Sequence, residues 1–424
     1  MTAFTRRHLL ASAAGSAALI GLPAIARGQA AAKVVVIGGG FGGATAARYL
    51  KKGAAELQVT LVEPSATFVT CPYSNLVIGG WRKIESITFT YDKLAKEGIT
   101  VARDSATAID PQKKEVRLAG GRTLSYDRLI ISPGIDIRWG AIAGYDEKAA
   151  EAMPHAWRAG EQTLLLRRQL EAMPDGGLFV MAAPANPFRC PPGPYERVSM
   201  IANYLTQSKP KSKILILDAK ENFSKQPLFQ DAWAKLYPGM IEWIPVGKDG
   251  KVVKVDPAAK SLETEFGTVH KAAVANVIPP QMAAKIARDA GLADQSGWCP
   301  IDPMTFESKL HKGVHVVGDA TIAAQMPKSG FAANSQGKVA AAAAIAMLKG
   351  KQPPPVGMVN TCYSHVGKDY AISVAGVYRV TDKGLIEVPD SGGVSPRQWD
   401  DGNRRMESIY ADGWYASITG DMFG

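Results

Sequence analysis

Apolar residues along the chain gather in short runs, and several of those runs are rich in β-branched side chains. Val34 to Ile37 lies between Lys33 and a glycine cluster, which predicts a strand buried on both faces. Ala44 to Leu50 reads as the helix that follows. LQVTLVEP (57–64) predicts the next strand and ends at Glu63. YDRLIISPG (126–134) and HKGVHVVGDA (311–320) each predict a strand that runs into a turn. Between them lie GLFVMAA (177–183), a helical stretch over about 195–207, SKILILDAK (212–220) and MIEWIPV (240–246). After 320, MPKSGFAANSQGKVAAAAAIAML predicts a loop and a long alanine-rich helix. Strands alternating with helices in this way predict an α/β fold of parallel sheets.

The glycines give the first run its chemistry. Gly38, Gly40 and Gly43 form G-x-G-x-x-G between a strand and a helix, so backbone N–H groups at the helix N-terminus can meet a pyrophosphate. Glu63, at the end of the second strand, is placed to hold a ribose hydroxyl. The 126–134 segment resembles the strand and turn that close the FAD domain of two-dinucleotide flavoproteins, with Ser-Pro-Gly ending at Gly134. The 311–320 segment resembles their second FAD motif, with Asp319 placed for the ribityl chain. Lys328, before the alanine-rich helix, is a candidate helper at the pyrimidine edge of a reduced flavin. These readings give an FAD domain in two pieces, 31–143 and 281–352. Residues 144–280 form a second, similar domain. Its phosphate loop is replaced by PANPFRCPPGPYE (184–196), whose prolines lack N–H donors, so NAD(P)H binding is expected to be lost. A nicotinamide-dependent disulfide reductase is disfavoured on the same ground.

Composition narrows the remaining choices. The 424 residues are 46% hydrophobic and 21% charged, which suits two or three globular domains. The net charge of +10 is spread without a Lys/Arg run, so no nucleic acid is expected as a partner. No repeat, low-complexity tract or long apolar run appears beyond the N-terminus, and the mature chain is expected to have no transmembrane segment. Residues 1–30 carry Thr5-Arg6-Arg7, a mildly apolar stretch and small residues. They resemble a twin-arginine export signal, with a Sec signal or membrane anchor as alternatives. Export to the periplasm of a folded, cofactor-loaded protein is the expectation.

Four cysteines remain: Cys71, Cys190, Cys299 and Cys362. None forms C-x-x-C, which disfavours zinc and covalent haem, and no metal site is expected. Cys71 follows the Glu63 strand and could pass beside an isoalloxazine ring. A thioether to the flavin, a buried thiol and half of a disulfide are all open readings. A bond between Cys190 and Cys362 would tie the second domain to the C-terminal region, either as a staple or as a redox centre over the flavin. Cys299 reads as a buried free thiol. The six histidines do not cluster; His155 and His365 are possible site neighbours. Trp399, Trp414 and Tyr415 are candidates for a partner surface or for core.

Long, unusual strings then point to one family. TCPYSNLVIGGWRKIES, PFRCPPGPYER, FSKQ, MPKSGFAANSQGKVAAAA and NTCYS resemble the flavoprotein subunit of flavocytochrome c sulfide dehydrogenase. The resemblance implies two Rossmann-like dinucleotide-binding domains of glutathione-reductase type and a C-terminal α+β interface domain over 353–424. It implies FAD carried covalently on Cys71, a redox disulfide between Cys190 and Cys362, and Glu196 as acceptor of the substrate proton. It further implies sulfide as substrate, sulfur or polysulfide as product, and a c-type cytochrome subunit as electron acceptor. Pro72 departs from the family pattern, and so does the Ser-Pro-Gly turn. Two rival roles share the motifs: a sulfide:quinone oxidoreductase-like enzyme, which would need an amphipathic C-terminal surface, and a non-turnover redox accessory of thiosulfate oxidation.

Overall fold

Lys33–Ile37 forms the centre of a five-stranded parallel sheet, in the order Val314–Val316, Arg128–Ile131, Lys33–Ile37, Gln58–Val62 and Thr100–Ala102. The computed structural model describes residues 31–382 and 384–424, so the export signal read in residues 1–30 lies outside the described residues. In the register of the sheet, Ile37 sits between Val62 and Ile131. The carboxyl ends of three strands therefore finish level, and Gly38, Glu63 and Ser132 meet at one edge. Open α/β sheets bind ligands outside such an edge.

Two helices cover one region of this sheet. Phe41–Gly53 follows the glycine loop, and Gly330–Leu348 is the alanine-rich helix. They approach closely because their contact is made of small residues: a Cβ on Gly337 would lie 2.5 Å from the Gly42 carbonyl oxygen. A second parallel sheet runs Ile241–Ile244, Lys213–Asp218, Leu178–Ala183, Val274–Val277. Its strand Leu178–Ala183 leads into the proline-rich loop and then the helix Gly193–Ser208, which has proline in its first turn.

The C-terminal region is antiparallel. Gly357–Gly367 pairs with Tyr370–Thr381, which also pairs with Gly384–Glu387, and the helix Asp401–Phe423 packs on this sheet. The Asp400 side chain caps that helix by accepting the Asn403 N–H. Two small antiparallel sheets, built from 106–125 and 252–271, have no counterpart in the sequence reading. Among the described residues no helix is long and apolar enough to cross a membrane.

Candidate active site

The level strand ends open a cavity lined by Gly38, Gly40, Glu63, Cys71, Gly134, Cys190 and Asp319. Gly38 has φ +92° and a Cβ there would meet the Ser132 carbonyl oxygen at 2.4 Å. A Cβ on Gly43 would lie 1.8 Å from the Gly38 carbonyl oxygen. Both glycines are therefore required by the turn itself. Gly40 differs: its Cβ would meet only the Phe68 ring, at 3.3 Å, and otherwise faces the cavity. The first turn of the Phe41–Gly53 helix has no acidic residue and no side-chain cap, so its N–H groups are left for an anion. The Glu63 carboxylate accepts the Gly39 N–H at 2.8 Å and the Ser65 N–H at 2.9 Å, which pins the loop. Gly134, φ +68°, has open space around its missing Cβ.

Asp319 carries the most telling atom. Its Oδ1 is buried without any hydrogen-bond partner. Burial pushes its carboxyl up, against the Arg189 and Lys328 charges. An acceptor in that state calls for a hydroxyl donor from a ligand. The donor-lined helix end, the glycine cradle and this orphaned acceptor together fit a flavin adenine dinucleotide.

Two further cavities adjoin it, and both are lined by Cys190 and Cys362. Cys190 also lines the dinucleotide cavity, so it stands at the junction. The residue has φ +58°, held by its N–H bond to the Lys328 carbonyl at 2.8 Å. Gly193 follows it because a Cβ there would lie 2.9 Å from the Cys190 Sγ. Cys362 comes from the Gly357–Gly367 strand. Each sulfur opens on a cavity yet is enclosed by surrounding protein. Burial pushes the Cys190 thiol well up, and Cys362, Glu196 and Cys71 add to the rise against Arg189. Burial raises Cys362 too, and Lys225 opposes it.

Glu196, in the first turn of the Gly193–Ser208 helix, lines the same cavity as the two thiols. Its oxygens accept the Asn75 amide at 2.7 Å and the His365 N–H at 3.0 Å. Burial still raises its pKa against those bonds and against the Lys225 and Arg197 charges, which brings its proton nearer to exchange at neutral pH.

Lys225, Asn75 and Arg197 were not legible as site neighbours in the sequence, whereas His155 and His365 were candidates there. Lys225, in FSKQ, is 5% exposed and donates to Ser364 Oγ at 2.8 Å and to the Cys362 carbonyl at 3.3 Å. Cys362 and Ser364 are two apart on one strand and point to the same face, so the ammonium lies on the face that carries the Cys362 sulfur. Asn75 bridges Glu196 and Arg197, accepting the Arg197 Nε–H at 3.0 Å. Buried Arg197 also holds the His155 and Ala156 carbonyls at 3.0 and 2.6 Å. His155 itself accepts the Trp157 N–H and has a packing role. His365 contacts Tyr73 OH at 3.3 Å.

Cys190 and Cys362 stand as free cysteines on the two cavities that they both line, and burial raises the pKa of each thiol. Lys328 does not line the dinucleotide cavity. Its ammonium turns to the Asp319 and Thr321 carbonyls, at 2.8 and 2.6 Å, and lies over the Trp298 ring. Tyr415 is core, stacked on Tyr73 at 4.1 Å, while Trp414 lines the thiol cavity and Trp399 is 39% exposed. Cys299 is a buried free thiol.

Comparison with known proteins matches three family models. One described as pyridine nucleotide-disulphide oxidoreductase covers residues 32–167. One described as the central part of the sulfide dehydrogenase (flavocytochrome c) flavoprotein chain covers 163–279. One described as flavocytochrome c sulphide dehydrogenase, flavin-binding, covers 354–423. The mitochondrial sulfide:quinone oxidoreductase of Mus musculus is 25% identical over 68% of this chain, which spans 65% of that protein's length. The sulfide dehydrogenase (flavocytochrome c) flavoprotein chain of Chlorobaculum thiosulfatiphilum is 62% identical over 45 residues, 11% of this chain and 94% of that one. Among solved structures, the sulfide:quinone oxidoreductase of Aquifex aeolicus superimposes with a TM-score of 0.73 at 18% identity, covering 93% of this chain and 92% of that one, which shows the shared fold.

Proposed function

The chain belongs to the flavocytochrome c sulfide dehydrogenase flavoprotein family, and from that membership we propose that it oxidises sulfide with FAD and a pair of cysteines. The observation that carries this reading is the cavity shared by Cys190, Cys362 and Glu196, which adjoins the flavin-sized cavity through Cys190.

The glycine loop of Gly38, Gly40 and Gly43 would hold the pyrophosphate, Glu63 the adenosine ribose and Asp319 the ribityl chain. Cys71 lines the cavity and would carry the 8α thioether. The reaction starts from the oxidised, disulfide form of Cys190 and Cys362. Hydrosulfide attacks one sulfur; a new S–S bond forms to it, the old S–S bond breaks, and the other sulfur leaves as thiolate. Negative charge passes from the hydrosulfide to that thiolate, and no electron leaves the protein in this step. Glu196 then takes the proton of the persulfide. Lys225 favours the thiolate on Cys362. A second hydrosulfide attacks the outer sulfur of the persulfide; HSS⁻ leaves with that sulfur and the second cysteine is freed as thiolate, so that closing the two thiolates to the disulfide completes the change of two hydrosulfide ions into one HSS⁻ ion, one proton and two electrons. FAD held by these residues would supply the acceptor for that electron pair and the donor of single electrons. A periplasmic location, reached by the twin-arginine route, and a c-type cytochrome acceptor complete the proposal.

The test is anaerobic flavin reduction by sulfide. Wild-type protein is expected to bleach, and Cys190→Ser and Cys362→Ser to lose at least about a hundredfold in rate with FAD retained. Unchanged rates would remove the thiols from the mechanism. Intact mass after denaturation is expected to retain FAD, and to lose it in Cys71→Ala.

One observation favours a second reading. Met406, Ile409 and Tyr410 are 43%, 53% and 54% exposed and share a face of the C-terminal helix. An amphipathic face of that kind would suit a membrane-associated quinone reductase. Reduction of a soluble quinone in preference to cytochrome c would favour that acceptor.

A further inference from the structure

We propose that a cavity of about 680 Å³ beside the thiols is a binding site for a small, polarisable sulfur anion, held by Lys328 above Trp298. The inference rests on the sulfide reading only for the identity of the anion.

This chamber is walled in part by the loop that follows the strand Leu178–Ala183. Its wall includes Asn186, Pro187, Phe188 and Pro191, from the loop that stands in place of a phosphate loop. Pro184, Pro187, Pro191 and Pro192 supply no N–H groups, so this wall cannot cradle a pyrophosphate. The opposite wall supplies a cation instead. The Lys328 ammonium donates to two backbone carbonyls and sits 3.8 Å from the centre of the Trp298 ring. Among the described residues no carboxylate comes within ion-pair distance of it. Carbonyl oxygens and an indole face solvate an ammonium without neutralising it, and an enclosed charge in that state favours a counter-ion. Burial lowers the Lys328 pKa to about 8, so the cation persists at neutral pH.

Two acids bear on the site. Asp319 has its carboxyl pushed up by burial and faces the flavin cavity. Asp294 lines the chamber at its exposed rim, and its Oδ1 accepts the Ser296 N–H and O–H. Asp319 and the Cys299 thiol act on the ammonium against the effect of burial, and among the described residues neither Asp319 nor Asp294 forms an ion pair with it.

The lining selects among anions. Phe188, Trp298 and Met326 are large, soft groups, which suit a weakly hydrated sulfur anion better than sulfate. The position also suits sulfur chemistry. Pro191, Gln325 and Pro327 line this chamber and the cavity that holds Cys190 and Cys362, so the two share a wall.

Calorimetric titration of the FAD-loaded protein with thiosulfate, without sulfide, tests the site. Saturable binding is expected, weaker for sulfate by at least about tenfold. Lys328→Met should weaken thiosulfate binding by about tenfold or more with the FAD content unchanged, and Lys328→Arg should restore it to within about threefold. Absence of saturable binding, equal affinity for sulfate, or unchanged affinity in Lys328→Met would overturn the proposal. If Lys328→Met does not fold, wild-type crystals soaked in iodide decide: an anomalous peak over Trp298 is expected, and none in the chamber overturns the site. Sulfide turnover is not the readout, so a wild type that binds thiosulfate yet fails to oxidise sulfide would defeat the functional reading alone.

Discussion

Lys225 shows how much one buried charge can decide. Its charge lowers the Cys362 thiol pKa against burial, and Cys362, Glu196, Cys190 and Glu407 act on it in turn. Lys225→Met keeps the apolar stem and removes the charge. In a Cys190→Ser background, alkylation of Cys362 at pH 8 is expected to slow by about tenfold, one unit of thiol pKa, and Lys225→Arg to recover most of it. Coinciding alkylation-pH profiles for the Met variant and its parent, with FAD retained, would leave Lys225 a purely structural tie. The sequence offered no sign of this role. Lys225 and Asn75 act through contacts with segments more than a hundred residues away, and spacing along the chain carries no record of such contacts. Cys190, Cys362 and Glu196 were legible because they sit in unusual strings. Lys328 was legible as a residue near the flavin segment, whereas the turn of its ammonium to the Asp319 and Thr321 carbonyls is a matter of folded geometry that spacing does not record.

At the scale of elements, the strand–loop–helix unit at 33–53 separates packing from binding. A Cβ on Gly43 collides with the Gly38 carbonyl, so Gly43→Ala is expected to unfold the turn and lower the thermal midpoint together with FAD content. Gly40→Ala has room apart from Phe68, so its fold should survive while FAD binding weakens by about tenfold or more, because the new methyl group occupies the ligand's side. Equal loss of stability in both variants would contradict this division. The parallel strands were readable because burial on both faces demands continuous β-branched runs such as Val34–Ile37. The sheet at 252–271 escaped because its strands carry Lys254, Glu263 and Lys271 on an exposed face, a pattern shared with loops.

At the scale of the whole molecule, three buried histidines contribute to the response to acid. His155, His315 and His365 are 5%, 0% and 3% exposed, and burial lowers His155 to about 3 and the other two to about 4. Unfolded histidine titrates near pH 6.5, so between about 6.5 and 4 the unfolded chain binds protons that the folded one refuses. Stability is therefore expected to fall as pH drops through that window, by up to about 3 kcal/mol per histidine at its lower end. Thermal midpoints measured from pH 7 to 4.5 should decline less steeply in His315→Gln than in the wild type. Parallel curves would show that His315 contributes nothing to the decline.

The far end of the C-terminal helix returns to the segment that is synthesised early. Asp421 accepts from Tyr49 OH at 2.9 Å and pairs with Lys338 at 2.8 Å, and Phe423 stacks on Phe89 and touches Phe68, which walls the dinucleotide cavity. Phe68 therefore leans on an aromatic ring supplied by a helix from the other end of the fold. Replacing Phe423 by alanine is accordingly expected to loosen Phe68 and to speed the release of bound dinucleotide, and flavin retained through gel filtration equal to that of the wild type would show that the ring contact carries no such support.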